Sequence, residues 1–220
     1  MKLSKSLYTR AIQCQKSLWL KKHNKDVLTP PNAAAQAIFE NGNEVGDLAC
    51  KLFPNGVEIP YLNTTFQDKI NLTQEYINQG TQNIYEATFE FDGILIMIDI
   101  LNIKDNSVII NEVKSSTQVK DIYLHDASIQ YYVLNGLGYD VKKVNIIHIN
   151  NEYVRDEELD INQLFSVVDV TYEVKELQAN IKNNLEIFRK TLAKDVEPNI
   201  DIGTHCNDPY ECDAKNYCWS

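Results

Sequence analysis

The sequence predicts an α/β domain built on a central mixed sheet flanked by helices. Three observations carry that prediction: three consecutive strand-like segments in the middle of the chain, a helix and a further strand directly after them, and helical periodicity on both flanks. The 220 residues suit one large domain, and 44% hydrophobic with 24% charged residues is a globular balance. The expected organisation is a single domain over 1–220, with a helical part at 1–80, the sheet core at 81–150, a second helical part at 151–200 and a Cys-rich tail at 201–220.

From Leu3 to His23 the spacing of Leu7, Ala11, Cys14 and Leu18 follows the helical period, and Pro30-Pro31 closes that helix. Residues 33–52 predict a second helix, interrupted by Gly42 and Gly46, and Thr65 to Asn78 a third. Residues 84–91, 94–103 and 107–114 are rich in Ile, Val, Phe and Tyr and predict strands. Turn signals at Asp92-Gly93 and Asp105-Asn106 join them as antiparallel hairpins. A helix is expected from Asp121 to about Leu137, with Leu124, Ala127, Ile129, Tyr131 and Leu134 as core candidates. Val141 to Ile149 predicts another strand, and Thr171 to Ala193 a long helix.

Composition sets limits on partners. The longest apolar run in the middle of the chain, Ile94 to Ile98, is five residues, too short to cross a bilayer, so no membrane partner is expected. The N-terminus lacks the apolar core of a secretory signal, which makes the cytoplasm the default location. The net charge of −10 speaks against a polyanion as partner, since phosphate contacts rest on Lys and Arg. That charge is unevenly spread: residues 1–25 carry seven basic residues and no acid, leaving −17 on the remainder.

Asp99 interrupts an otherwise apolar strand, and Glu112 and Lys114 lie near the end of the next. Strand positions i and i+2 share a face, so Glu112 and Lys114 project side by side, and the hairpin brings Asp99 alongside them. Two carboxylates beside a lysine are the parts of a phosphodiester hydrolase. Hard divalent cations take carboxylate oxygens together with substrate phosphate, and a lysine can stabilise the transition state. An E-x-K triplet alone also fits a surface ion pair worth ~0–1 kcal/mol. Asp99 is harder to account for that way, because a carboxylate between Ile98 and Ile100 is costly to bury without a partner.

Of five cysteines, Cys206, Cys212 and Cys218 fall in the last fifteen residues with C-x5-C-x5-C spacing. Three clustered thiols need a fourth, from Cys14 or Cys50, to complete a zinc site or hold an iron–sulfur cluster. Spacing does not choose between zinc and cluster.

The order CQKSLWLKKH, FENGNEVGDLA, D-I-L, E-V-K-S-S-T, HDASIQYYVL and three terminal cysteines resembles the RecB-like PD-(D/E)XK nucleases that carry a four-cysteine iron–sulfur cluster. These include the CRISPR-associated RecB-like exonucleases, the AddB nuclease domain and an uncharacterised bacterial branch sharing C-x2-P-Y-x-C. The resemblance spans nearly the whole chain. It implies a restriction-endonuclease-like PD-(D/E)XK core, with the Cys-rich tail docked on the N-terminal helix. It also implies Mg²⁺- or Mn²⁺-dependent hydrolysis of DNA, as an exonuclease on single-stranded or end-containing substrates. Asp99, Glu112 and the Val113 backbone carbonyl would be metal ligands, Lys114 the catalytic lysine and Gln130 the helix residue approaching the site. Cys14, Cys206, Cys212 and Cys218 would hold a [4Fe–4S] cluster, with Zn²⁺ as the alternative, leaving Cys50 as a core thiol. The chain departs from the pattern at Gly46, where related exonucleases place a metal-binding His; Glu44, Asp47 and Glu86 are the acids that could substitute. A non-catalytic nucleic-acid-binding module is the alternative function. C-terminal partner domains absent from this chain stay open, because the sequence ends two residues after Cys218.

Overall fold

The computed structural model describes residues 2–104 and 107–220. The chain opens with a two-residue strand, β1 (Leu3–Ser4), followed by helices α1 (Lys5–Gln13) and α2 (Gln15–His23). The single helix expected over 3–23 is therefore two. Cys14 takes an extended backbone, φ −160° and ψ 117°, and turns the chain between them. Ala11 and Leu18 are buried as expected, whereas Leu7 and Cys14 are half-buried.

Helix α3 (Ala33–Cys50) runs through Gly42 and Gly46 without interruption. Each glycine costs roughly 0.5–1 kcal/mol in a helix, too little to break one that packs Val45 and Ala49 into a core. After β2 (Val57–Glu58), helix α4 (Phe66–Asn78) starts at a capping box in which Thr65 and Asp68 satisfy each other's amides.

Strands β3 (Asn83–Phe91), β4 (Ile94–Lys104) and β5 (Ser107–Lys114) form the expected hairpins. Asp92 and Gly93 both have positive φ, 48° and 68°, as a type I′ turn requires. The Asp105-Asn106 turn lies outside the described residues; the strands beside it pair in register from Lys104 and Ser107. Helix α5 (Asp121–Gly136) then returns the chain so that β6 (Asp140–Ile149) lies parallel to β5. On α5, Ala127, Ile129 and Leu134 are buried as expected, while Leu124 and Tyr131 are half-buried. A short α6 (Ile161–Leu164) precedes β7 (Phe165–Asp169), a strand that the sequence reading omitted. The long α7 (Thr171–Leu192) follows, and α8 (Lys215–Cys218) lies in the tail.

The result is a mixed α/β architecture with a seven-stranded sheet in the order β2-β3-β4-β5-β6-β7 and β1 parallel to the start of β4. Residues of α1, α4, α5 and α7 share the larger core with Ile96, Ile98, Ile110 and Ile146. On the opposite side, α3 packs Val45 and Ala49 against Ile100, Ile147 and Phe165. Among the described residues no helix is long and apolar enough to cross a membrane.

One feature of the sheet gathers charged side chains at a single place. Recorded pairing between β4 and β5 runs from Lys104↔Ser107 to Ile100↔Asn111 and goes no further. At the other end of β4, Ile94 and Leu95 pair with Leu3 and Ser4 of β1. The sheet thus forks beyond Asp99 and Glu112, and the first turn of α1 enters at the fork.

The Cys-rich tail docks on α1. Arg10 clasps Asp213 through two bonds of 2.7 and 2.8 Å, and Gln13 Nε2 donates to the carbonyls of His205 and Tyr210. Because the Arg10–Asp213 pair is bidentate and mostly shielded, Arg10→Met is expected to lower the unfolding free energy by ~1–3 kcal/mol in urea titration. Lys142→Met, which removes the exposed Lys142–Asp140 pair, should change it by less than ~0.5 kcal/mol.

Candidate active site

Asp99 is the last residue of β4 before the fork. Register places it opposite Glu112, but its Oδ2 instead accepts the Val113 amide at 2.7 Å. The pairing of β3 with β4 also skips here: Tyr85 faces Ile100 and Ala87 faces Ile98, while Glu86 between them has φ +57°. A non-glycine residue in that region stores strain of order 1–3 kcal/mol. Ladder pairing is thus lost on both sides of Asp99.

Glu112 points into the pocket with 1% of the residue exposed. Its Oε1 accepts from Lys114 Nζ at 2.6 Å and from Lys5 Nζ at 2.8 Å; its Oε2 accepts from Gln130 Nε2 at 2.7 Å and from Lys5 at 3.0 Å. Lys114 Nζ also reaches Asp126 Oδ2 at 2.6 Å. Lys5 Nζ lies 3.9 Å from Asp99 Oδ1 and 3.8 Å from Asp126 Oδ1. The structure therefore brings Asp99, Glu112, Lys114 and Gln130 together. The Val113 amide is engaged by Asp99, and its carbonyl lies on the same stretch of β5.

Two further residues belong to this site. Asp126 lies one turn before Gln130 on α5, so the helical i, i+4 relation puts both on one face, Asp126 against Lys114 and Gln130 against Glu112; that spacing was readable in HDASIQ. Lys5 carried no such signal, because its place depends on β1 pairing across the fork. Glu86 stands across from Asp99, between the Tyr85–Ile100 and Ala87–Ile98 pairs, and burial raises its carboxyl, with Lys5 opposing the shift and Glu112 adding to it. Glu44 and Asp47 are exposed on α3. A Cβ built at Gly46 meets nothing within 4 Å, so the position is open. Cys50 is half-buried near Asp47 and Asp99. Burial and these acids push its thiol up to about 12.

The electrostatics divide the carboxylates. Burial alone would raise Glu112, but Lys114 and Lys5 outweigh it and hold the group well below the usual carboxylate range. Asp99 is pushed up to about 7 by burial and by the charge of Glu112, against Lys5 and Lys114. Burial and Glu112 also raise Asp126. Both lysines stay charged, because the acids around them more than offset burial.

The donor set suits a hard cation. Asp126 Oδ1 and Gln130 Oε1 are buried acceptors without a hydrogen-bond partner among the described residues. Such atoms are unstable unless something completes them. Among the described residues no three His, Cys, Asp or Glu side chains form a group that could hold a metal ion. Magnesium does not require one, since it commonly takes one or two carboxylates with water and phosphate. Aromatic rings and a second lysine stand beside Lys114: its Nζ lies 5.3 Å from the buried Tyr123 ring, and Lys120 Nζ lies 6.0 and 5.5 Å from the rings of Tyr123 and Tyr210.

Cys14, Cys206, Cys212 and Cys218 line one cavity at the far end of α1, with Lys16 beside them. All five cysteines are free. Burial raises the Cys14 thiol, opposed by the amides of Ser17 and Lys16 at the start of α2. Trp19 packs nearby, bonding the Lys194 carbonyl and stacking on His23.

The raised Asp99 carboxyl has a consequence for stability. A folded-state value near 7 means that the folded protein keeps a proton which the unfolded chain releases at about 3.9. This group's contribution is complete below about 4 and is lost as the pH climbs to 7. Asp99→Asn is therefore expected to be more stable than wild type at pH 8 in chelator, by about 1–2 kcal/mol, with the gap narrowing towards pH 5. Thermal melts across that range measure it, and a variant no more stable at pH 8 contradicts the assignment.

No family model and no curated protein matches the sequence. Among solved structures the chain is similar to the protein SSO0001, at 13% identity and TM-score 0.45 over 86% of this chain and 75% of that one. It is similar to the alkaline exonuclease LHK-Exo from Laribacter hongkongensis, at 15% identity and TM-score 0.38, with 87% of each chain covered. It is also similar to a phage-related exonuclease from Haemophilus somnus 129PT, at 14% identity and TM-score 0.36 over 80% and 92%.

Proposed function

We propose that this protein is a divalent-metal-dependent nuclease of the PD-(D/E)XK type, acting as an exonuclease on single-stranded or end-containing DNA. The observation that carries the reading is the convergence of Asp99, Glu112, Lys114 and Gln130 on one pocket at the fork of the sheet. Asp99, Glu112 and the Val113 carbonyl would hold Mg²⁺ or Mn²⁺. When bound, that ion would activate water and offset the charge developing on a phosphate. Lys114 keeps its proton and can neutralise a phosphate oxygen in the transition state. Gln130 and Asp126 fix the Glu112 and Lys114 head groups, which limits reorganisation during the reaction. Tyr123 is buried in the core, so Lys120, held over its ring, is the group nearby that offers a charge for the backbone.

The test is a nuclease assay with Mg²⁺ or Mn²⁺ on single-stranded, linear duplex and closed circular DNA, with RNA as a comparison. Asp99→Ala and Lys114→Ala are expected to lose ~100-fold or more of the activity on DNA with ends. Equal cleavage by wild type and both variants would sink the assignment. A second reading, a nucleic-acid-binding module without catalysis, is favoured by one observation: both Glu112 oxygens are already engaged by Lys5. It predicts DNA binding without cleavage in any of these metals.

Cys14, Cys206, Cys212 and Cys218 would hold a [4Fe–4S] cluster, a fit supported by the cavity that these thiols share and by the cations beside them. Arg10 feels Cys212 and Cys14, and Lys16 feels Cys218, which suits an anionic cluster. Free thiols fit a reducing, cytoplasmic setting. Anaerobically purified protein is expected to absorb near ~400 nm and to contain iron rather than zinc. Cys14→Ser should lose both signals and Cys50→Ser should keep them. Full metal content in Cys14→Ser would remove Cys14 from the ligand set.

A further inference from the structure

We propose that the Lys5 ammonium is a built-in counter-ion of the carboxylate pocket, competing with a divalent cation for Glu112 and holding the pocket to one such ion. The proposal rests on the reading that Asp99 and Glu112 take a metal, and it adds a residue from outside the strands that carry them. Lys5 Nζ bridges both oxygens of Glu112 at 2.8 and 3.0 Å, and it stands 3.9 Å from Asp99 and 3.8 Å from Asp126. One ammonium thus contacts or faces three carboxylates, the position that a bound cation would otherwise hold.

The backbone fixes this placement. Leu3 is buried, its amide donates to the Gly93 carbonyl at 2.9 Å, and Leu3 and Ser4 pair with Ile94 and Leu95. Ser4 caps α1 through the Leu7 amide, so Lys5 starts the helix at the fork. The side chain is different in kind: four flexible carbons carry a point charge that can swing away without moving the helix. Glu112 would still be held by Lys114 and Gln130 if Lys5 left. The pocket can therefore exchange one cation for another.

Charge sets the capacity. Three carboxylates, on Glu112, Asp99 and Asp126, surround Lys5 Nζ, and Lys114 Nζ shares Glu112 and Asp126 with it. With two ammonium groups already among three acids, a divalent ion enters most favourably in place of Lys5. Without Lys5 the pocket gains a further negative charge and both Glu112 oxygens lose one partner, which favours tighter binding and room for a second ion.

The test is Mn²⁺ titration of the full chain, followed by calorimetry and by the electron paramagnetic resonance of free Mn²⁺, with melting curves to verify folding. Lys5→Met is expected to bind Mn²⁺ at least ~10-fold more tightly than wild type or to take up a second ion. Lys5→Arg should resemble wild type, and Glu112→Gln should lose the site; Lys5→Gln replaces Lys5→Met if that variant melts early. Should wild type bind one ion through Glu112 while Lys5→Met binds no more tightly and no more ions, the role of Lys5 is overturned and the metal-dependent reading stands. Mn²⁺ bound by Lys5→Met but not by wild type supports the competition and favours the non-catalytic reading. Binding by neither overturns both proposals.

Discussion

The pocket depends on one buried carboxylate. Glu112 is almost wholly shielded, and an ion in that position is tolerable only when its lone pairs are filled. Lys5, Lys114 and Gln130 fill them from three different elements, α1, β5 and α5. That requirement ties the fork in the sheet, the entry of the N-terminus at β1 and the face of α5 into one arrangement. A cluster of this kind is a poor way to gain stability, since well-packed apolar side chains of similar volume usually do as well or better. Perturbed carboxylates gathered in this way mark a candidate for chemistry rather than a source of stability.

Its neighbours fall into two classes. Lys114 and Lys5 keep Glu112 ionised, whereas Asp99 and Asp126 carry raised affinities for a proton. Lowering one carboxylate while raising two others is what mutual repulsion produces when cations are shared unequally. An added divalent charge would relieve that repulsion directly. The two oxygens without a hydrogen-bond partner among the described residues, Asp126 Oδ1 and Gln130 Oε1, belong to the two α5 side chains that hold Lys114 and Glu112.

Asp99, Glu112 and Lys114 were legible in the sequence because strand periodicity is local: an acid in an apolar run and an E-x-K pair need only one hairpin to meet. The strand limits followed for the same reason, as did α4, whose capping box can be read in Thr65 and Asp68. Gln130 came from resemblance; Asp126 could have come from helical spacing. Lys5 could not, since it reaches Glu112 across 107 residues through the pairing of a two-residue strand. The break at Cys14 was hidden because helical periodicity continues across it in the sequence. The helix breaks predicted at Gly42 and Gly46 failed because glycine weakens a helix without ending it when its packing continues.

The first helix connects the two candidate sites. Lys5 stands at its start and Cys14 directly after its end, so nine helical residues, about 13 Å at 1.5 Å per residue, separate the carboxylate pocket from the thiols. A short helix is a stiff spacer, and Arg10 and Gln13 pin it to the tail on the way. Tyr210 of the tail also stands near the site, its ring 5.5 Å from Lys120 Nζ, which lies 6.0 Å from the Tyr123 ring. The tail, which contributes no side chain to Glu112, bears on the site by pinning the helix that carries Lys5.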